Sequence, residues 1–234
     1  MKNSIFLLLL ALSFSAQAKT IWSDYSVSYL RGNDYKVGDS SKSVVTFEYA
    51  TGTSWGDSFM FFDRLESDNG DIETYGEWSP RIKLADYSAG VFKNIYFSAT
   101  FEMGTFASKN EFGRGFTNYL LGLGTDLDIP GFNFFKVSLY HRNNDIGDNN
   151  YQTTVSWGVP LGTLYYDGFI DYSSTREAGA ASMNFTSQLK YDLAPHLGLT
   201  SKLYLGIEYA YWLSKFGIDG VDEKNVSLLV KYHF

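Results

Sequence analysis

Phe59, Phe61 and Asp63 occupy alternate positions in the run Asp57-Ser58-Phe59-Met60-Phe61-Phe62-Asp63. In an extended chain, alternate side chains share a face, so two apolar rings and two carboxylates project together. The same parity groups Glu77, Ser79, Arg81 and Lys83 further along, and then Tyr96, Ser98, Thr100 and Glu102. Lys136 and Tyr140 share a face in a later run. Rings stack on flat molecules, and polar groups beside them orient a molecule's hydrogen-bonding edge, so this set suits weak recognition of a flat polar solute. Phe59, Phe61, Asp63, Arg81 and Glu102 are the leading candidates, with Tyr96, Lys136 and Tyr140 outside them. The charges have a second reading: Asp63, Arg81, Lys83 and Glu102 could neutralise one another, because an unpaired charge in a confined space is costly.

Catalytic chemistry finds less support. His141, His196 and His233 lie far apart without metal-ligand spacing. Asp68-Asn69-Gly70-Asp71 lacks the closing glutamate of a calcium loop and reads as a turn. No nucleophile elbow, phosphate loop or zinc motif is present, so no enzyme, metal or cofactor is expected. The chain has no cysteine, and its net charge of −7 lacks the basic stripe a nucleic-acid surface needs.

The elements that would carry these residues are strands. Val226, Leu228, Val230, Tyr232 and Phe234 alternate with Ser227, Lys231 and His233, Leu229 being the one apolar residue on the polar face. Leu203, Leu205, Ile207, Tyr209 and Tyr211 alternate in the same way. Earlier strands are expected at Asp24–Arg31, Ser43–Ala50, Asp57–Arg64, Gly76–Ala85, Asn94–Gly104, Thr117–Asp128, Phe134–Arg142, Tyr151–Val159, Leu164–Ser174 and Ser182–Tyr191. The total is about twelve, an even number as bacterial single-chain barrels require. Gaps after odd-numbered strands are long and polar, whereas Pro130, Pro160 and Pro195 fall in the shorter gaps after even-numbered ones. Long loops on one side and tight turns on the other mark an all-β, closed antiparallel transmembrane barrel with periplasmic termini and long outer loops. Eighteen Tyr, nineteen Phe, five Trp and twenty-two Gly suit such a barrel. Tyr49, Trp55, Trp78, Trp157, Tyr172, Tyr209 and Tyr211 fit its interfacial girdles.

Lys2, an apolar run from Ile5 to Phe14 and Ala16-Gln17-Ala18 form the three parts of a secretory signal peptide, residues 1–18, leaving 19–234 as a single barrel domain. The terminal Phe234 resembles the signal read by the barrel assembly machinery. These features place the chain in the lipid of a Gram-negative outer membrane.

Five stretches resemble one family. Ser79-Pro80-Arg81-Ile82-Lys83-Leu84 precedes Phe92-Lys93-Asn94-Ile95-Tyr96-Phe97-Ser98-Ala99 and Gly122-Leu123-Gly124-Thr125-Asp126. This order is similar to the Tsx/OmpK family of nucleoside-specific channel-forming outer-membrane proteins. Trp55-Gly56-Asp57-Ser58-Phe59-Met60-Phe61-Phe62-Asp63 resembles that family's third strand, and Tyr165-Tyr166-Asp167-Gly168-Phe169-Ile170-Asp171-Tyr172 is closer to its OmpK branch. The similarity extends over nearly all of residues 19–234. Lys83 stands where the family usually has serine, and the outer loops look shorter than in Tsx; both bear on ligand preference more than on fold. The resemblance implies a narrow, monomeric, twelve-stranded channel for passive diffusion of nucleosides and related small solutes, some members also serving as phage or colicin receptors. A plugged structural, adhesion or phage-receptor barrel is the alternative, and an outer-membrane enzyme the more distant one.

Overall fold

The computed structural model describes residues 19–108, 113–177 and 179–234. The proposed signal peptide lies outside the described residues. The strands are β1 (Thr20–Gly32), β2 (Lys42–Thr53), β3 (Gly56–Ser67), β4 (Ile72–Ala89), β5 (Phe92–Ala107) and β6 (Arg114–Leu127) in the first half. The second half contributes β7 (Phe134–Asn143), β8 (Asn150–Leu161), β9 (Leu164–Ser173), β10 (Ser182–Asp192), β11 (Leu203–Leu213) and β12 (Glu223–His233). Each pairs antiparallel with its sequence neighbour, and β1 pairs with β12 from Ser26↔His233 to Gly32↔Ser227. The sheet is therefore a closed twelve-stranded barrel, with no edge left to expose unpaired backbone groups.

Period-two alternation decides what faces where. Along β12, Glu223, Asn225, Ser227, Leu229 and Lys231 are buried, while Val226, Leu228, Val230 and Tyr232 are exposed. A water-soluble barrel would turn its apolar face inward; here polar side chains fill the lumen and apolar ones cover the outside, as in a barrel solvated by lipid. The exterior carries stacked rings, among them Tyr25 on Tyr49, Trp78 on Phe101 and Trp157 on Phe185. Leu229, the odd residue of its polar face, packs in the lumen with Leu30, Val44 and Leu65.

Several connections differ from expectation. β3 and β4 are joined by a tight turn at 68–71, stabilised by Asn69 Oδ1 accepting from the Asp71 amide at 2.9 Å with Gly70 at φ 87°, so the long loop expected there is mostly strand. Pro160 lies within β8 rather than in a turn. The link between β10 and β11, on the side of the barrel where the termini lie, spans 193–202 and holds the short helix α1 (Ala194–Leu197). The loop asymmetry therefore lapses here as well as at the β3–β4 turn, and Pro195 starts a helix instead of a tight turn. Segment 33–41 folds over the opposite end: the Asp34 amide donates to Asn225 Oδ1 at 3.0 Å and the Lys36 amide to Glu223 Oε2 at 2.8 Å. Tyr35 sits among the ammonium groups of Lys42 and Lys215, and burial pushes its hydroxyl up to about 12.

Candidate functional site

Cross-strand register puts every candidate on the lumen face. Asp57, Phe59, Phe61 and Asp63 of β3 lie opposite Arg81, Ser79, Glu77 and Tyr75 of β4. Ser98, Thr100 and Glu102 of β5 continue the rows, and β6 and β7 extend them to Tyr140 and Lys136. The candidates nevertheless divide into three groups.

The first is a charge clamp. Arg81 donates through Nε to Asp57 Oδ1 at 2.9 Å and through Nη2 to Asp57 Oδ2 at 2.5 Å and Asp126 Oδ1 at 2.8 Å. Its guanidinium carbon lies 4.2 Å from the centre of the Tyr96 ring, whose hydroxyl donates to Asp126 at 2.7 Å. Lys136 reaches from β7 to Asp57 on β3 at 3.2 Å. Arg81 thus spans the barrel wall from β3 to β6, a task suited to the planar guanidinium with its fixed fork of donors. Beside it, Gly124 leaves room for the hydroxyls of Ser98 and Ser138, to which an added Cβ would lie 2.6 and 2.7 Å.

The second group centres on Glu102, which accepts from Arg142 at 2.5 Å and Asn118 at 2.8 Å. Arg142 also donates to Gln152 Oε1 at 2.7 Å. Tyr140 is buried beside this network, across from Gln152.

The third group is aromatic. Phe59 and Phe61 have ring centres 6.1 Å apart, Phe61 and Tyr75 5.7 Å, and Tyr75 and Phe116 6.4 Å. These rings form a ladder along the lumen wall from β3 to β6. Gly104 of β5 lets it continue, because a Cβ there would stand 2.6 Å from the Phe116 ring. Phe59 is 40% exposed although it faces inward, so its ring surface is open to the lumen. Asp63 stands beside the ladder, paired in register with Tyr75, and Tyr75 donates its hydroxyl to Glu77 at 2.5 Å.

Parity alone had already placed Asp57 with the candidates, and Asp126 lies in a motif singled out for other reasons. Tyr75, Phe116 and Arg142 were missed. They sit near strand ends where alternation blurs into loop, and the β4–β5 hairpin is longer than its polar ends suggested. The far side of the lumen was missed as well: Lys190 pairs with Asp167 at 2.6 Å, Lys231 contacts Glu48, and Gln188 donates to Glu208 at 2.8 Å. His141 meets the Tyr151 ring, His196 meets Tyr191, and His233 meets Asp24. Among the described residues, no histidine hydrogen-bonds a serine or threonine hydroxyl.

No family model matches the chain, and no curated protein matches it. Solved structures do. A KdgM porin superposes with a TM-score of 0.52 at 10% identity, covering 89% of this chain and 99% of its own. The outer membrane phospholipase A of Escherichia coli superposes with a TM-score of 0.53 at 12% identity, covering 93% of this chain and 92% of its own. The fold is that of outer-membrane barrels. One of these two is named a porin and the other a phospholipase, so the shared architecture carries no activity by itself.

Proposed function

We propose that the protein is an outer-membrane channel of the Tsx/OmpK kind, passing nucleosides and related small solutes by diffusion. The observation that carries this reading is the ladder of Phe59, Phe61, Tyr75 and Phe116, with Phe59 open to the lumen and Asp63 and Glu77 alongside. Apolar rings on a lumen face are expensive to leave against water unless a solute uses them. A base stacks on such rings whatever its identity, and the neighbouring carboxylates accept from sugar hydroxyls. The binding stays shallow and spread over several rings, as passage requires.

Two further observations support it. Ser28 Oγ, Asp63 Oδ1, Arg81 Nη1, Asp167 Oδ1 and His233 Nε2 are buried without a hydrogen-bond partner among the described residues, and all belong to residues facing inward. Leaving such a group unsatisfied costs about 1–3 kcal/mol, which favours a lumen holding water or polar solute over a dry plug. In addition, Asp57, Arg81 and Asp126, from three of the family-like stretches, meet in one clamp. Periplasmic termini, an outer-membrane setting and a cleaved segment 1–18 complete the reading.

Planar-bilayer conductance of the purified protein, with and without adenosine or thymidine, tests it. The expected result is a small pore whose current falls as nucleoside is added. No pore, or a pore indifferent to both compounds, would sink the proposal.

A further inference from the structure

The charged groups of the mid-lumen do not balance. Its five bases are all engaged: Arg81 with Asp57 and Asp126, Lys136 with Asp57, Arg142 with Glu102, Lys190 with Asp167, and Lys231 with Glu48. Four inward-facing carboxylates remain, Asp63, Glu77, Asp171 and Glu208, with no ion pair among the described residues. Their contacts are neutral donors: Tyr75 for Glu77, Thr154 and Gln152 for Asp171, and Gln188 for Glu208. All four residues are half-buried.

These carboxylates come from four separate strands, β3, β4, β9 and β11, and all project inward. Asp63 of β3 stands in register with Tyr75 of β4, whose hydroxyl donates to Glu77, so these two carboxylates flank one ring. Glu77 also lies directly across the ladder from Glu102; Arg142 meets the charge of Glu102, and Glu77 is left with a neutral donor. Asp63 Oδ1 is buried without a hydrogen-bond partner among the described residues. Beside the belt run the rings of Phe61 and Tyr75, and no protein cation lies over either among the described residues. Carboxylates together with free aromatic faces are the two groups that attract an organic ammonium.

We infer that the mid-lumen belt of Asp63, Glu77, Asp171 and Glu208 makes the channel selective for positive charge, so that it admits inorganic cations and holds ammonium solutes with an aromatic body while rejecting anions of the same shape. This deepens the channel reading and rests on it. Rings of acidic side chains select cations because their field accumulates counter-ions in a narrow low-dielectric passage.

The test uses the full barrel in planar bilayers under a potassium chloride gradient, followed by block with benzylammonium and with benzoate, which share shape and differ in charge. The expected result is a preference for potassium over chloride of roughly tenfold, with block by benzylammonium and none by benzoate. E77Q, D171N, D63N and E208Q keep volume and should each lower the preference, the fourfold variant bringing it close to parity. The wild-type reversal potential needs no variant, so a fourfold protein that fails to fold does not remove the test. An open pore with no cation preference, or one blocked equally by both probes, overturns the inference and leaves the channel standing. Absence of any conductance overturns the channel itself.

Discussion

The two sides of the lumen use tyrosines in opposite ways. On the side formed by β9, β10 and β11, Tyr165 and Tyr204 lie 5.5 and 5.6 Å from the Lys190 ammonium, which is itself paired with Asp167. Those ring faces are occupied, and Tyr204 is buried. On the side formed by β3 and β4, the rings of Phe59, Phe61 and Tyr75 line up with one another and with Phe116, and Phe59 is open. Among the described residues, a cation lies over the rings of Tyr165 and Tyr204 and none lies over Phe59, Phe61 or Tyr75. Tyr96 follows the first pattern despite lying on the second side, because Arg81 covers it.

Arg81→Ala should break this division most severely. It takes the guanidinium from Asp57, which keeps Lys136, and from Asp126, which keeps the Tyr96 hydroxyl, and it uncovers the Tyr96 ring; loss of one partner from a buried ion pair costs about 3–5 kcal/mol. Denaturant unfolding of the folded barrel reads this directly, and a loss below about 1 kcal/mol would mean the clamp is dispensable. Next come Phe59→Ala and Phe61→Ala, each expected to weaken nucleoside block of conductance by about 1–3 kcal/mol, the range for one stacked base. Unchanged block in Phe61→Ala removes the stacking proposal while leaving the pore intact.

Gly104→Ala sharpens the comparison without deleting a ring. The added methyl must displace the Phe116 ring, so the ladder shortens; about 1–3 kcal/mol of stability should be lost with a partial loss of nucleoside block. The smallest effect belongs to Tyr165→Leu, which removes one ring from Lys190 at a cost of about 0.5–2 kcal/mol. Its nucleoside block should match wild type, and if block falls as far as in Phe61→Ala, the two sides do not differ in the way described.

Much of the barrel was legible because a strand's face is a local property. The alternation of Val226, Leu228 and Val230 with Ser227 and Lys231 separates the two faces of β12 whatever lies beside it, and the same parity brings Phe59, Phe61 and Asp63 to one face. Blurred alternation hid the ends: the β4–β5 hairpin runs further than its polar tips suggest, and the turn at 68–71 is tight because Asn69 closes it.

The sequence by itself determined twelve strands, their inward and outward faces and the set of residues that could share a lumen. Only the tertiary structure decided which of those residues are already engaged. Lys136 meets Asp57 from four strands away, Arg81 reaches across β5 to Asp126, and Lys231 finds Glu48 because β1, lying between them, closes the barrel on β12. Neighbouring strands follow from chain order, but contacts between distant strands depend on closure, side-chain length and the room left by glycines, and none of these is a property of any single stretch of sequence. For that reason the open rings and the four unpaired carboxylates could be distinguished from their engaged counterparts only once the barrel was closed.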